Sequence, residues 1–278
     1  MPMGQFVSTE KLIATITEQM HHKGDQCGPA VFDADHTLWN ADVGALAFQH
    51  AIQHDLFHQD VVEEPFWQWA KPYGLDASMG FRSALERIQE EEFSGQWLER
   101  GKKLNLEPWE VLSQLYQMQA WIFAGYTRQE LCALGRQLFF ASLEPLCFSY
   151  VPDVFALLQK HGVAIHIITA SQGYIAEGAL KEMGISPSNV YGMAPALQEN
   201  DVALPRLSRI SYGPGKRQCI EHELRVKPFL AFGDSVATGD AAMFDTAELA
   251  VAVYPKGQHL EAAKTRQRCL ILEETHAP

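Results

Sequence analysis

The sequence predicts an α/β fold, in which a parallel sheet covered by helices on both faces is interrupted by an inserted helical block. Short apolar runs alternate with helical patterns after residue 150, as expected for a parallel sheet. One further apolar run, at residues 28–32, comes much earlier in the chain. Only helical patterns occur between these two regions, so the helical block is inserted after the first strand.

The elements follow one another in a clear order. Residues 8–20 predict an amphipathic helix, and the first strand ends at Asp33. The helical block, about residues 41–143, contains helices at 45–54 and 107–123 and a capping-box pattern at 127–130 that opens another. The remaining elements are a helix at 152–161, a strand at 163–168, a helix at 173–183, short strands at 189–193 and 202–210, a helix at 214–224, a strand at 229–232, a helix at 239–244, a strand at 249–253, a helix at 258–266 and a strand at 269–272.

This order predicts two domains. Residues 1–40 and 145–278 form the α/β core, and residues 41–144 form a helical domain inserted into it.

Composition excludes several classes of partner. The net charge of −12 argues against nucleic acid and anionic membranes as partners, because both are bound by clustered Lys and Arg. The five scattered cysteines, none in a CxxC pair, predict free buried thiols rather than a zinc site or a disulfide framework. No signal-like or membrane-spanning apolar segment is visible. We therefore expect a soluble cytoplasmic protein that acts on a small molecule.

Polar side chains follow three of the predicted strands at the point where each ends. Ligands of such sheets bind beyond the carboxyl ends of the strands, so these side chains are the candidate site. They are, in chain order, Asp33 and Asp35, Thr169 and Ser171, and Asp234 and Ser235.

The two aspartates after the first strand suit the cleavage of a phosphate ester. A carboxylate such as Asp33 can attack phosphorus and form an aspartyl phosphate. A second carboxyl held protonated, here Asp35, can give the leaving alcohol its proton.

The other candidates are suited to metal and phosphate binding. Asp234 adds a third carboxylate, and Mg²⁺ prefers such oxygen ligands. Thr169 and the backbone at Ala170 lie where a strand meets a helix, which suits a phosphate. Lys216, at a loop-to-helix transition, supplies a compact positive charge.

Taken in order, these elements resemble the signature of the haloacid dehalogenase superfamily, and the helical insertion resembles the cap domain of its phosphoserine phosphatase-like branch. The resemblance covers the sheet domain, and it is specific as an ordered set. The matching segments are hhhDxDxT at residues 31–37, hhhT at 167–169, Lys216, and hhGDS with a later Asp at 231–240.

The resemblance implies a Rossmann-like core and a role for each matching residue. Asp33 would be the nucleophile and Asp35 the general acid and base. Thr169, Ala170 and Lys216 would hold the phosphoryl group. Mg²⁺ would be bound by Asp33, the backbone carbonyl of Asp35, and Asp234. Because dehalogenase and phosphonatase members lack the second Asp, the presence of Asp35 points to a phosphatase.

Two positions depart from the family pattern. The last acidic residue usually stands four or five positions after the Asp of its motif, whereas Asp240 stands six after Asp234. Asp240 is therefore expected only to support the site. His36 is bulkier than the usual residue between Asp35 and Thr37, and we expect it at the surface or behind the site.

Substrate choice rests on weaker signals. In phosphoserine phosphatases an acidic residue nine positions after the nucleophile faces the substrate amine, and Asp42 holds that place here. Arg82 and Arg87 are candidates for binding a substrate carboxylate. An alternative hypothesis is an aromatic cage for a quaternary amine, against the expectation that these tryptophans bury helix faces. The cage candidates are Trp39, Trp67, Trp69 and Trp97.

The sequence thus predicts a Mg²⁺-dependent phosphatase of a small phosphate monoester, either phosphoserine-like or an amino-alcohol phosphate. Two alternatives remain open: a phosphotransferase that uses the same aspartyl phosphate, and a catalytically idle binding protein that keeps the fold.

Overall fold

A computed structural model describes residues 3–273 of the chain. Its strands are β1 (Gln5–Val7), β2 (Ala30–Phe32), β3 (Ile165–Gln172), β4 (Val190–Leu197), β5 (Ala203–Arg209), β6 (Leu230–Gly233), β7 (Leu249–Val253) and β8 (Cys269–Leu272). Over the described residues they form one eight-stranded sheet with the order β1-β8-β7-β6-β2-β3-β4-β5. All neighbours are parallel except β4 and β5, which are antiparallel. The predicted α/β fold with a parallel sheet is confirmed.

Helices connect the strands, and seven of them lie between β2 and β3; six of these seven fall within residues 41–144, where the inserted block is predicted. The α-helices within residues 3–273 are α1 (Thr9–Lys23), α2 (Val43–His54), α3 (Gln59–Ala70), α4 (Phe81–Phe93), α5 (Gln96–Lys103), α6 (Pro108–Trp121), α7 (Arg128–Leu138), α8 (Tyr150–Lys160), α9 (Gly173–Lys181), α10 (Pro214–Gln218), α11 (Ala241–Phe244) and α12 (Gly257–Thr265). The predicted capping box opens α7, where Thr127 and Glu130 each accept a hydrogen bond from the other's backbone N–H. Within the described part of the chain, no helix is both long and apolar enough to cross a membrane.

Several elements differ from the sequence prediction, among them β1, β3 and the helix predicted at 214–224. β1 was not predicted, because three residues pairing with β8 at the sheet edge are too short to show a strand period. β3 extends to Gln172, so Thr169 and Ser171 lie inside the strand rather than after it. The helix predicted at 214–224 is α10 followed by a π-helical turn, Cys219–Leu224.

β2 lies near the centre of the sheet, between β3 and β6. Its three residues are completely buried, as expected for a parallel strand covered on both faces. The Phe32 ring stacks on Phe232 of β6 with centroids 4.3 Å apart and meets Phe155 of α8 edge-on at 5.2 Å. This packing holds the residue that follows β2, Asp33, at a fixed point in the middle of the molecule.

The last helix of the inserted block packs closely against the sheet layer. Gly135 of α7 lies against Ile175 of α9, and Gly178 of α9 lies against Cys132 of α7. Glycines permit this because each helix then presents only backbone to the other. Since α7 is joined so closely to the core, the division into domains at residue 144 stays a prediction.

We expect Gly178→Ala to destabilise the protein. A Cβ at this position would lie 1.9 Å from the Cys132 carbonyl oxygen, which is backbone and cannot swing away. The gain in helix propensity is about 1 kcal/mol, whereas forcing two packed helices apart costs about 3 kcal/mol. The free energy of unfolding from urea titration should therefore fall by about 2 kcal/mol. Lys181→Ala on the exposed face of α9 is the control, and equal stability of the two variants would contradict this account.

Candidate active site

The carboxyl ends of β2, β3 and β6 meet beside one cavity of about 210 Å³. Because β2 is hydrogen-bonded to β3 on one side and to β6 on the other, the residues that end these strands become neighbours. Helices α2 and α6 of the inserted block close the opposite side. The predicted site residues that line the cavity are Asp33, Asp35, Asp42, Ala170, Lys216 and Asp234.

Asp33, Lys216 and Asp240 form a buried ionic triad at the base of this cavity. The Lys216 ammonium donates to Asp33 Oδ1 at 2.5 Å and to Asp240 Oδ1 at 2.6 Å, and its side chain is only 2% exposed. Burial opposes the charged form of Lys216, but Asp240 and Asp33 outweigh it and raise the pKa of this lysine. Burial raises the pKa of Asp33, with Lys216 opposing and the neighbouring carboxylates adding to the effect. The lysine is therefore a fixed positive charge beside the candidate nucleophile.

Three carboxylates at this point are arranged as a cation site would need. One oxygen from each of Asp33, Asp234 and Asp240 lies within 4.8 Å of the others. Burial, followed by the charge of Asp240, raises the pKa of Asp234 to about 7, so the three acids repel one another in a poorly solvated place. A hard divalent cation with oxygen preference, such as Mg²⁺, fits this donor set. Sequence reasoning gave Asp240 only a supporting role, whereas the structure brings it into the carboxylate group.

The Asp35 side chain is held by hydrogen-bond donors from three elements. Its Oδ1 accepts from Trp39 Nε1 at 2.9 Å and from the Val43 N–H at 2.8 Å. Its Oδ2 accepts from the Ser171 hydroxyl at 2.6 Å and more weakly from Thr169 at 3.4 Å. Because an indole and a backbone N–H occupy Oδ1, a proton on this carboxyl can reside only on Oδ2, next to a hydroxyl.

This arrangement corrects the assignment of Trp39 to the substrate. Trp39 is completely buried, and its ring nitrogen is committed to Asp35. It orients the second aspartate and does not contact a ligand.

Thr169 is placed behind the cavity wall. It is completely buried, and its hydroxyl accepts from the Ser171 N–H at 3.1 Å. Ala170 and Ser171 line the cavity in its place. The assignment of Thr169 to phosphate binding stays a prediction, and Ser171 supplies the hydroxyl of this strand that lines the cavity.

Asp42 caps helix α2 and faces the cavity. Its Oδ1 accepts from the Ala45 N–H at 2.8 Å. Burial, followed by the charge of Asp35, raises the pKa of Asp42 to about 8. Asp42 is half-buried. Among the described residues that line the cavity, Lys216 is the only Lys or Arg, and it pairs with Asp33 and Asp240 rather than with Asp42.

The two predicted arginines and the other tryptophans lie elsewhere, which corrects their assignment. Arg82 pairs with Glu86 one turn along α4, and Arg87 pairs with Glu91 in the same way. Trp69 and Trp97 stack at 5.6 Å within the helical block, and Trp67 donates to Glu63. These tryptophans bury helix faces, and none of the four cage candidates lines the cavity.

His36 lies at the mouth of the cavity. It is exposed, with a left-handed backbone (φ 56°), which turns the chain sharply directly after Asp35. It also lines a smaller bay on the other side of Asp234. The expectation of a surface position for His36 is confirmed.

The residues that line the cavity on the side opposite the strand ends were not predicted from the sequence. Leu112, Tyr116 and Gln119 come from one face of α6, and Tyr212 comes from the loop before α10. The Tyr116 and Tyr212 rings meet edge-on at 5.2 Å. The helical spacing of residues 112, 116 and 119 is a visible signal, but it predicts a buried face and not which element that face covers.

Comparisons with known proteins give one family match and several similar structures. A family model described as haloacid dehalogenase-like hydrolase matches residues 30–244. A protein of unknown function from Bordetella pertussis Tohama I has a similar structure, with 17% identity, a TM-score of 0.59, and 88% of this chain and 98% of that chain covered.

Two further solved structures are similar over most of this chain. A functionally unknown protein from Anaerococcus prevotii has 16% identity and a TM-score of 0.57, covering 88% of this chain and 85% of that chain. A HAD family hydrolase from Salmonella enterica serovar Typhi has 12% identity and a TM-score of 0.50, covering 91% and 75%. At these identities the likeness shows the fold. A search of curated protein sequences found no significant match.

Proposed function

Because the chain belongs to the haloacid dehalogenase-like hydrolases, we propose that it is a Mg²⁺-dependent phosphatase that cleaves small phosphate monoesters through an aspartyl phosphate at Asp33. The observation that carries this proposal is the cavity itself. In it, the buried carboxylate of Asp33 lies beside the fixed positive charge of Lys216, and the carboxyl group of Asp35 lines the same cavity.

The two aspartates have different surroundings, and these suit different tasks. Asp33 Oδ1 is bound by Lys216, while Oδ2 has only a long contact, 3.3 Å, from the Thr37 hydroxyl. Oδ2 is therefore the oxygen available to attack phosphorus, and Lys216 keeps the carboxylate from rotating. The P–O bond to the leaving alcohol breaks as the new bond forms.

Asp35 supplies the proton that the leaving alcohol needs. Trp39 and Val43 fix its Oδ1 as an acceptor, so the proton is carried on Oδ2 and passes to the leaving oxygen. The same Oδ2, now without its proton, then takes a proton from the water that hydrolyses the aspartyl phosphate. This second step regenerates both aspartates.

The carboxylates of Asp33 and Asp234 and the backbone carbonyl of Asp35 would hold the metal ion, with the carboxylate of Asp240 beside them. When bound, Mg²⁺ neutralises charge on the phosphoryl oxygens and on the ionised nucleophile. The contribution of the chain is to place these three acids together where burial raises the pKa of Asp33 and Asp234.

Charge in the cavity favours an amino-alcohol phosphate over phosphoserine. Among the described residues that line it, Lys216 is the only Lys or Arg. Its ammonium group is already paired with the carboxylates of Asp33 and Asp240. A substrate carboxylate would therefore meet no free cation, whereas an ammonium group would meet Asp42. We further propose that the enzyme acts in the cytoplasm on a phosphorylated metabolite.

The test is phosphate release from ethanolamine phosphate and from ethyl phosphate, with Mg²⁺ and with a chelator. We expect release only with Mg²⁺, and recovery when Mg²⁺ is restored. Asp42→Asn should lower the preference for ethanolamine phosphate at least about fivefold. If the protein with Mg²⁺ releases phosphate from none of a broad panel of monoesters, the proposed function is wrong.

A further inference from the structure

Two glutamines line the cavity, and hydrogen bonds fix their amide groups so that one can offer a ligand its oxygen and the other its nitrogen. Gln119 Nε2 donates to Glu92 Oε2 at 2.7 Å, so the group that Gln119 can offer a ligand is its carbonyl oxygen. Gln172 Oε1 accepts from the Ile175 N–H at 2.8 Å and caps α9, so the group it can offer is its N–H pair. Neither amide can flip without losing its present partner.

The nitrogen of Gln172 is a buried donor without a partner. The residue is 3% exposed, and Nε2 has no hydrogen-bond partner. It is the only such atom on a cavity-lining residue in the described part of the chain. Buried donors are nearly always satisfied, so an unpaired one that borders a ligand cavity indicates a bond made only when a ligand is present.

Both glutamines line the same cavity, and a small buried cluster joins the elements that carry them. Ala120 of α6 and Met193 of β4 belong to one small buried cluster. Gln119 precedes Ala120, and Gln172 lies opposite Met193 in the sheet. The cavity that both residues line has a volume of about 210 Å³, which admits a leaving group of only a few heavy atoms.

We propose that Gln119 and Gln172 together recognise a hydroxyl group on the leaving group of the substrate. A hydroxyl both donates and accepts, so it can donate to the Gln119 oxygen and accept from the Gln172 nitrogen. An ammonium group would leave the Gln172 N–H unpaired, and a carboxylate would repel the Gln119 oxygen. Gln172 is thus a specificity-determining residue, and the substrate class is a phosphate ester that carries a hydroxyl besides any cationic end that faces Asp42. This inference rests on the proposed function.

The test compares two substrates of similar size, glycerol 3-phosphate and n-propyl phosphate, which differ in their hydroxyl groups. With Mg²⁺ bound, the parent protein should show a kcat/KM at least about tenfold higher for glycerol 3-phosphate. Gln172→Ser keeps an oxygen that can cap α9 but removes the amide nitrogen. It should lower the ratio of the two kcat/KM values about five- to tenfold, because only glycerol 3-phosphate has a hydroxyl that can accept from the amide nitrogen. Gln53→Ser, on the exposed face of α2, is the matched control.

The ratio separates recognition from a merely structural role. If Gln172→Ser lowers both substrates equally, or changes neither, the ratio stays constant and the inference is overturned. It is also overturned if the parent protein does not prefer glycerol 3-phosphate. Failure of the proposed function gives a different result, because then neither ester is hydrolysed by the parent protein in Mg²⁺.

Discussion

Asp33→Asn should reduce phosphate release by at least about a thousandfold without unfolding the protein. An amide is a far weaker nucleophile than a carboxylate, and replacing the attacking group removes most of the catalysis. The substitution keeps the shape of the side chain, and its carbonyl oxygen can still accept from Lys216. The measurement is the release of phosphate from p-nitrophenyl phosphate with saturating Mg²⁺.

The same substitution should leave stability unchanged or raise it. Burial and the neighbouring acids raise the pKa of Asp33, which means that the folded state disfavours its charge. Removing that charge relieves repulsion while Lys216 keeps Asp240 as an ionised partner. A variant that is inactive but melts at or above the parent temperature would show that Asp33 serves catalysis at the expense of stability.

Asp153→Asn is the control for this experiment, because Asp153 is exposed on α8, away from the cavity. It should keep full activity. If Asp33→Asn were as active as this control, the covalent mechanism would be wrong. If the parent protein itself released no phosphate, the reading of the chain as an idle binding protein would gain support.

The fold was predictable because its signals are local. The strands at 249–253 and 269–272 match the observed ones, since buried parallel strands are short apolar runs with clear breaks. The places of Asp33 and Asp234 at the ends of two strands also predicted that both would border one cavity, because the carboxyl ends of neighbouring parallel strands meet at one edge.

The substrate side was not predictable for the opposite reason. Gln119 lies on a helix whose face toward the cavity depends on how the inserted block packs, and Gln172 is informative only through a missing partner. Arg82 and Arg87 stood at plausible places in the sequence, but each is turned toward a glutamate on its own helix. The role of Trp39 was equally hidden in the sequence. It depends on one hydrogen bond to Asp35 across a turn, which the residue type alone does not reveal.

Lys216→Met should be strongly destabilising as well as inactivating. Among residues 3–273, Lys216 is the only cation that pairs with Asp33 and Asp240, and all three side chains are buried. Its removal would leave two carboxylates facing each other without water, and breaking a buried ion pair in this way costs about 3–5 kcal/mol. We expect a loss of this size in the free energy of unfolding, measured in urea without added metal.

A double-mutant cycle shows whether the cost comes from the stranded carboxylates. In Lys216→Met with Asp240→Asn, one of the two acids is neutral, so the loss should be smaller than the sum of the single losses by at least about 1 kcal/mol. Purely additive losses would mean that Lys216 acts through its apolar stem alone. Methionine keeps most of that stem, so a single variant as stable as the parent would show that the triad contributes little to folding. In either of those cases, the triad would not account for the presence of Lys216 through folding stability. Its role would then be to bind the phosphoryl group of the substrate beside Asp33.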